Sequence, residues 1–318
     1  MSEYLNPNTY RPNTSIDPRM QRPKVFDPAL WHFSRRAFRL GDPIFQDPEI
    51  ANRWFESRQQ VIEYLLLSIQ GSRWHEHLVL RGSLLLKGWL GDTAREPNDI
   101  DWVFRPEHIK REDRLAKQLF KELIKLLRKY PHFNNIKIDG ANIATDEIWT
   151  YERADGRRML IPWQAEDLPG GTLQIDIVFG EQLFDEPILT PILTSWNENI
   201  LIWSASKELS LAWKIRWLET DGYPQGKDLY DATLLAEKTQ LPFDLLKTVL
   251  NSSDDWIRSL NYFADDFSWK SGYPWITQTR DIEWDNFILE YPWVEGDAQS
   301  WIDRLSLALA PTFANIDC

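Results

Sequence analysis

The chain has 318 residues, 43% of them hydrophobic, and a formal net charge of −12. That length holds one large domain or two modest ones with a substantial core, and the acidic total excludes a general nucleic-acid coat. A single cysteine, Cys318, excludes a disulfide framework, and no stretch approaches the roughly 20 apolar residues of a membrane-spanning helix, so a soluble cytoplasmic protein is expected. The charge is uneven. Residues 105–130 carry nine Arg and Lys against four acids, whereas residues 251–318 carry four against twelve.

In chain order, residues 1–49 are rich in Pro and Asn and read as an extended arm with a short helical piece near Pro28–Arg39. Residues 50–70 place Ile50, Trp54, Val61, Leu65 and Ile69 at helical spacing. A strand is expected at His77–Leu80, a short helix at Ser83–Leu90, a strand at Ile100–Phe104 and a long helix at Glu107–Tyr130. Strands follow at Asn135–Thr145, Arg158–Trp163, Leu173–Phe179 and Ile200–Ser204. Helices then span Lys207–Asp221 and Gly226–Lys238, and a helical region broken at Gly272–Pro274 closes the chain. This order predicts an α+β protein: a mixed sheet with helices on one face over residues 50–205, then a helical lobe over 206–318. The 17 tryptophans are expected mostly as core anchors.

The chemistry starts at "PNDIDWVF". On a strand, residues i and i+2 share a face, so Asp99 and Asp101 project side by side while Ile100 and Trp102 are buried opposite. Two neighbouring carboxylates repel unless a cation sits between them, and oxygen-only sites suit hard divalent ions. The same pair also fits a solvated strand-end turn. A third acid, Asp176, lies within the apolar strand "LQIDIVFG", where a carboxylate is costly unless it is paired or binds metal. Gly82 and Ser83 stand between strand and helix, where the backbone can approach a phosphate and a helix N-terminus can receive it; plain capping by Ser83 is the alternative.

With those residues in place, the chain resembles the nucleotidyltransferase superfamily with the DNA polymerase β-like fold, and within it the AbiEii/AbiGii toxins of bacterial toxin–antitoxin systems. The matching stretches are "RGSLLL", "AREPNDID", "LQIDIVFGE", "KELSLAWKIRWLETD" and "GKDLYDATLLAE", in that order. The resemblance implies a polymerase β-like mixed sheet and transfer of a nucleoside monophosphate from an NTP, with Mg²⁺ or Mn²⁺, to an acceptor hydroxyl, an RNA or tRNA end first. A protein side chain as acceptor, or a binding module without turnover, are the alternatives. It also implies a cognate antitoxin and a role in phage defence. Gly82, Ser83 and Arg95 are then expected at the nucleotide, Asp99, Asp101 and Asp176 at the metal with Asp176 as base, and Lys214 at the triphosphate. Asp228 or Asp231 would orient Lys214 or the substrate. The sequence departs from the family pattern at Arg81, where a glycine is usual, at Pro97, and in a longer gap before Asp99.

Two further expectations rest on periodicity. Lys214 borders the Leu211–Ile215–Leu218 stripe, so Lys214→Ala should spare the fold while removing transfer; snorkelling to solvent is the bland reading. Asp228 and Asp231 also suit an ordinary helix start. Along Glu107–Tyr130, Arg114, Lys117, Lys121, Lys125 and Arg128 form a basic stripe that could track an RNA backbone beside the sheet, or simply face solvent.

Overall fold

The computed structural model describes residues 17–26, 38–150, 154–262, 268–274 and 282–314. Two short ladders come first: β1 (Met20–Gln21) pairs β4 (Ile44–Phe45), and β2 (Lys24–Phe26) pairs β3 (Phe38–Leu40). The helical piece expected near Pro28–Arg39 therefore ends in a strand, and its residues 28–37 lie outside the described set. Helix α1 (Pro48–Gln70) starts where Asp47 accepts a bond from the Glu49 N–H at 2.9 Å and proline takes the first turn, whose N–H has no helical partner to lose.

Nine strands form the central sheet among the described residues: β5 (Leu78–Arg81), β6 (Asp99–Phe104), β7 (His132–Phe133), β8 (Ile136–Ile138), β9 (Ala144–Thr150), β10 (Ala154–Ala165), β11 (Gly171–Val178), β12 (Ile188–Leu193) and β13 (Asn199–Ser204). The order is β12-β13-β5-β6-β11-β10-β8-β7, with β9 sharing the outer side of β10 with β8. β6 runs parallel to β11 and antiparallel to β5, so the sheet is mixed as expected.

Period-2 alternation sorts the two faces. Leu78, Leu80, Ile100, Trp102, Phe104, Ile175 and Ile177 point one way, into a core shared with α1 and α3 (Arg114–Lys129). Val79 and Val103 point the other way, into a second core built by the helices after residue 206. Helices thus cover both faces, not one. The sequence signal missed this because one apolar face of β6 is interrupted by the two aspartates. Five tryptophans (Trp54, Trp74, Trp102, Trp213 and Trp256) are fully buried, in line with their expected role.

The later helices are α4 (Lys207–Thr220), α5 (Gly226–Ala236), α6 (Phe243–Asn251), α7 (Asp254–Tyr262), α8 (Trp284–Glu290) and α9 (Ala298–Phe313). The chain's strand-then-helix order holds. Three boundaries differ from expectation, each for a local reason. The Lys110 N–H bonds the Asp113 carboxylate at 2.8 Å, which keeps residues 106–113 in turns and starts α3 only at Arg114. The expected strand Asn135–Thr145 is split because Asp139–Asn142 turns the chain, with the Asn142 N–H bonded to the Asp139 carbonyl. β12 was not expected, since Pro191 reads as a breaker; as the edge strand it loses no ladder bond that a neighbour needs.

Candidate active site

Sheet register builds the site. Arg81 of β5 pairs Asp101 of β6, Asp101 pairs Asp176 of β11, Asp176 pairs Arg158 of β10, and Arg158 pairs Asp146 of β9. Register partners project to the same face, so five strands carry one charged row of sign + − − + −. The two like charges sit side by side at its centre, and Asp99 joins them one pleat along β6. One carboxylate oxygen each from Asp99, Asp101 and Asp176 lies within 4.8 Å of the other two.

The neighbours hold these carboxylates in place. Arg158 grips Asp176 as a fork, Nε to Oδ1 and Nη2 to Oδ2, both at 2.8 Å, and Gln174 donates to Oδ2 at 3.1 Å. Arg81 donates to Glu181 at 2.6 Å, with its guanidinium 5.5 and 5.4 Å from the rings of Trp213 and Trp217. Asp101 has less compensation. Burial first, then Asp99 and Asp176, push its carboxyl up to about 7, against the opposing charges of Arg81 and Lys227. Burial and two like charges leave the Asp101 carboxylate only partly compensated within the chain. The donor set, all oxygen, fits a hard divalent ion.

Gly82 makes the crowding possible. Its φ is +82°, and a Cβ there would come 2.4 Å from Asp101 Oδ2. It precedes α2 (Ser83–Leu90), whose first turn has no side-chain cap. Ser83 Oγ is buried and finds no hydrogen-bond partner among the described residues. An orphaned hydroxyl at an uncapped helix N-terminus, beside three carboxylates, suits an incoming phosphate. Gly82→Ala is expected to push the Asp101 carboxylate out of the cluster and to cost about 1–3 kcal/mol in strain. Calorimetric Mn²⁺ binding and a melting curve check both parts.

The helical lobe brings the remaining residues together as one buried network. Lys214 of α4 donates to Asp228 at 2.6 Å and to Asp231 at 2.9 Å. Arg95, from the loop before β6, donates Nε to Asp231 Oδ1 at 3.1 Å and Nη2 to Oδ2 at 2.9 Å. All four are buried. Burial opposes charge on Lys214, but Asp228 and Asp231 outweigh it and raise its pKa. For Asp231 burial likewise pulls upward, yet Arg95 and Lys214 win and hold it below the usual carboxylate range.

The expectation that removing Lys214 would spare the fold is therefore corrected: this lysine is neither at a stripe border nor snorkelling. α4 is buried almost all round, Glu219 included, because it lies between the sheet and the other helices. Of the two readings of the basic stripe, the solvent-facing one fits the structure. Arg114, Lys117, Lys121, Lys125 and Arg128 are exposed, but α3 packs with Ile100, Trp102 and Phe104, on the face opposite Asp101. Sequence reasoning missed Arg81, Arg158 and Lys227. Arg158 had one legible signal: a charge alternating with Met159 and Ile161 in a strand otherwise facing the core.

A mixed sheet with three converging carboxylates beside a glycine–serine helix start is the arrangement expected from the resemblance to nucleotidyltransferases. The sequence profile of the nucleotidyl transferase AbiEii toxins of type IV toxin–antitoxin systems matches residues 64–290, and the chain belongs to that family. A crystal structure described as that of a "putative nucleotidyltransferase from H. pylori" aligns over 84% of this chain and 97% of that one, at 14% identity and a TM-score of 0.41. No curated protein matches the chain. Among the described residues, no helix is long and apolar enough to cross a membrane.

Proposed function

We propose that the protein moves a nucleoside monophosphate from an NTP to an acceptor hydroxyl, an RNA end and first of all a tRNA end, as the toxin of an AbiE-like phage-defence pair with a cognate antitoxin. The observation that carries this reading is the convergence of Asp99, Asp101 and Asp176 within 4.8 Å next to the unpartnered Ser83 hydroxyl. In the reaction, the acceptor oxygen bonds the α-phosphorus, the bond to the β-phosphate bridge breaks, pyrophosphate leaves, and the acceptor's proton passes to a base.

Asp99, Asp101 and Asp176 would hold Mg²⁺ or Mn²⁺. When bound, the ion supplies positive charge to the phosphate oxygens and lowers the proton affinity of the attacking hydroxyl. Gly82 leaves room for the Asp101 carboxylate, and the α2 N-terminus with Ser83 would bind a phosphate. Arg158 fixes the orientation of Asp176, the third acid and the expected base. Arg95, Lys214, Asp228 and Asp231 brace the loop before β6 against the helical lobe and so set the position of Asp99.

An acceptor on RNA does not draw on α3, which faces away from the acids. The acceptor class is tested by incubating the protein with each α-labelled NTP, Mg²⁺ and a mixture of total RNA and cell protein. Label removed by ribonuclease and not by protease is the expected result. Label removed only by protease replaces RNA with a protein acceptor. Nucleotide binding without any transfer favours a binding module instead.

A further inference from the structure

On a chain of net charge −12, the outer face of α3 has the opposite sign. Arg114, Lys117, Lys121, Lys125 and Arg128 stand at steps of three or four residues, which sets them in one line about 21 Å long. All five are exposed, and among the described residues none lies within ion-pair distance of a carboxylate. The acids nearest them in sequence are committed elsewhere. Glu112 takes Arg111 at 2.7 Å, and the Asp113 carboxylate accepts the Lys110 N–H at 2.8 Å. Glu122 takes Arg73 at 2.8 Å and the Trp74 indole N–H at 3.1 Å.

Like charges three and four residues apart oppose a helix. α3 cannot relieve them by turning, because Ala116, Leu119, Phe120, Leu123 and Leu127 are buried on its other side. One end of the line is apolar. Tyr130 is 51% exposed, and its carbonyl is fixed by a bond of 2.7 Å from Tyr64 Oη. Leu67, one turn along α1 from Tyr64, is 40% exposed.

We propose that this face docks an acidic helix of a protein partner, with carboxylates at matching steps against the cations and an apolar side chain against Tyr130 and Leu67. The width and surroundings of the stripe favour a protein over a nucleic acid. It is one side chain wide, the half-exposed Glu122 stands on the same helix, and the chain around it is acidic. A nucleic acid is negative along its whole length and meets those acids too, whereas a protein can be acidic in one helix only. Exposed ion pairs are individually weak, so the cations set the register and speed of docking while the apolar end holds the helix. This surface lies across the sheet from Asp101, and the proposal does not depend on the nucleotidyl-transfer reading.

The test uses a helical peptide of about 18 residues, with glutamates at the steps of the stripe and one leucine at the end that meets Tyr130. A scrambled peptide of the same composition, a single-stranded RNA and a DNA duplex are the comparison probes. Each is titrated into the full chain, into the triple variants Lys117→Gln/Lys121→Gln/Lys125→Gln and Lys117→Arg/Lys121→Arg/Lys125→Arg, and into Lys238→Gln. Wild type is expected to bind the matched peptide at least about tenfold more tightly than the scrambled one, and less tightly as salt rises. The glutamine triple variant should melt where wild type melts and lose at least about tenfold in affinity for the matched peptide. The arginine triple variant and Lys238→Gln should bind as wild type does. Equal binding of the matched peptide by wild type and the glutamine variant overturns the proposal, as does equal binding of the two peptides or binding of neither. RNA or duplex held more tightly than the matched peptide, and lost in the glutamine variant, replaces the protein partner with a nucleic acid. Self-association in sedimentation that the glutamine variant abolishes replaces it with a second copy of this chain. None of these failures touches the transfer reading.

Discussion

Asp101→Asn is expected to abolish nucleotide transfer while making the metal-free protein more stable at pH 8. The carboxylate oxygens of Asp99, Asp101 and Asp176 lie within 4.8 Å of one another, and Asp101 has its carboxyl pushed up to about 7 by burial and those two neighbours. A raised acid opposes folding once it is ionised: the folded state binds the proton more tightly, so stability falls as pH rises from the ordinary carboxylate range toward about 7 and stays low above it. Asparagine keeps the shape and removes the charge. Because Asp101 keeps some solvent contact, screening limits the gain to about 1–2 kcal/mol. The cost is functional, since two carboxylates hold a divalent ion far more weakly than three. Melting curves in EDTA and with added Mn²⁺ separate the two effects. Wild type should gain stability with Mn²⁺, and Asp101→Asn should start higher and gain little. A variant that melts lower than wild type in EDTA would show that Asp101 is satisfied by the protein and awaits no cation.

Lys214→Met is expected to be among the most destabilising single changes in the helical lobe. Asp228 and Asp231 are each 1% exposed and share the one ammonium. Removing one partner of a buried pair typically costs about 3–5 kcal/mol, because the carboxylates left behind are desolvated and uncompensated. Arg95 still holds Asp231 after the change. Urea unfolding measures the cost, and the double change Lys214→Met with Asp228→Asn should recover part of the loss. A Lys214→Met protein as stable as wild type would mean that the network is worth nothing to the fold. The variant should lose transfer through the fold.

The fold was legible where side-chain period and punctuation agreed. α1 was expected over residues 50–70 from its apolar spacing and runs Pro48–Gln70, and Ser83–Leu90 and the strand at Leu173 emerged within a residue or two. The acid cluster was legible because one strand carried acids at i and i+2 and another carried an acid among apolar neighbours; parallel pairing of those two strands in register was all that tertiary structure had to add. Partners that come from distant strands were not legible. Arg158 is an ordinary charged residue until β10 is paired with β11, and Arg81 reads as a departure from a glycine pattern until it is set opposite Asp101. Lys214 was misjudged for a related reason. Helical period identifies one apolar stripe but does not reveal that the other sides of α4 are buried as well, so a boundary residue became an interior one. The basic stripe on α3 is the converse case: its spacing was right, and only sheet alternation at Ile100 and Asp101 determines that it lies across the sheet from the acids.

The central claim is that this acid cluster transfers a nucleoside monophosphate, and the position of the label tests it most directly. Wild type and Asp101→Asn are each incubated with Mn²⁺, total RNA, and NTP labelled at either the α- or the γ-phosphate. Transfer of the α-label into acid-insoluble product by wild type, no transfer of the γ-label, and neither with Asp101→Asn is the predicted result. Transfer of the γ-label, or α-transfer that survives Asp101→Asn, would contradict the account.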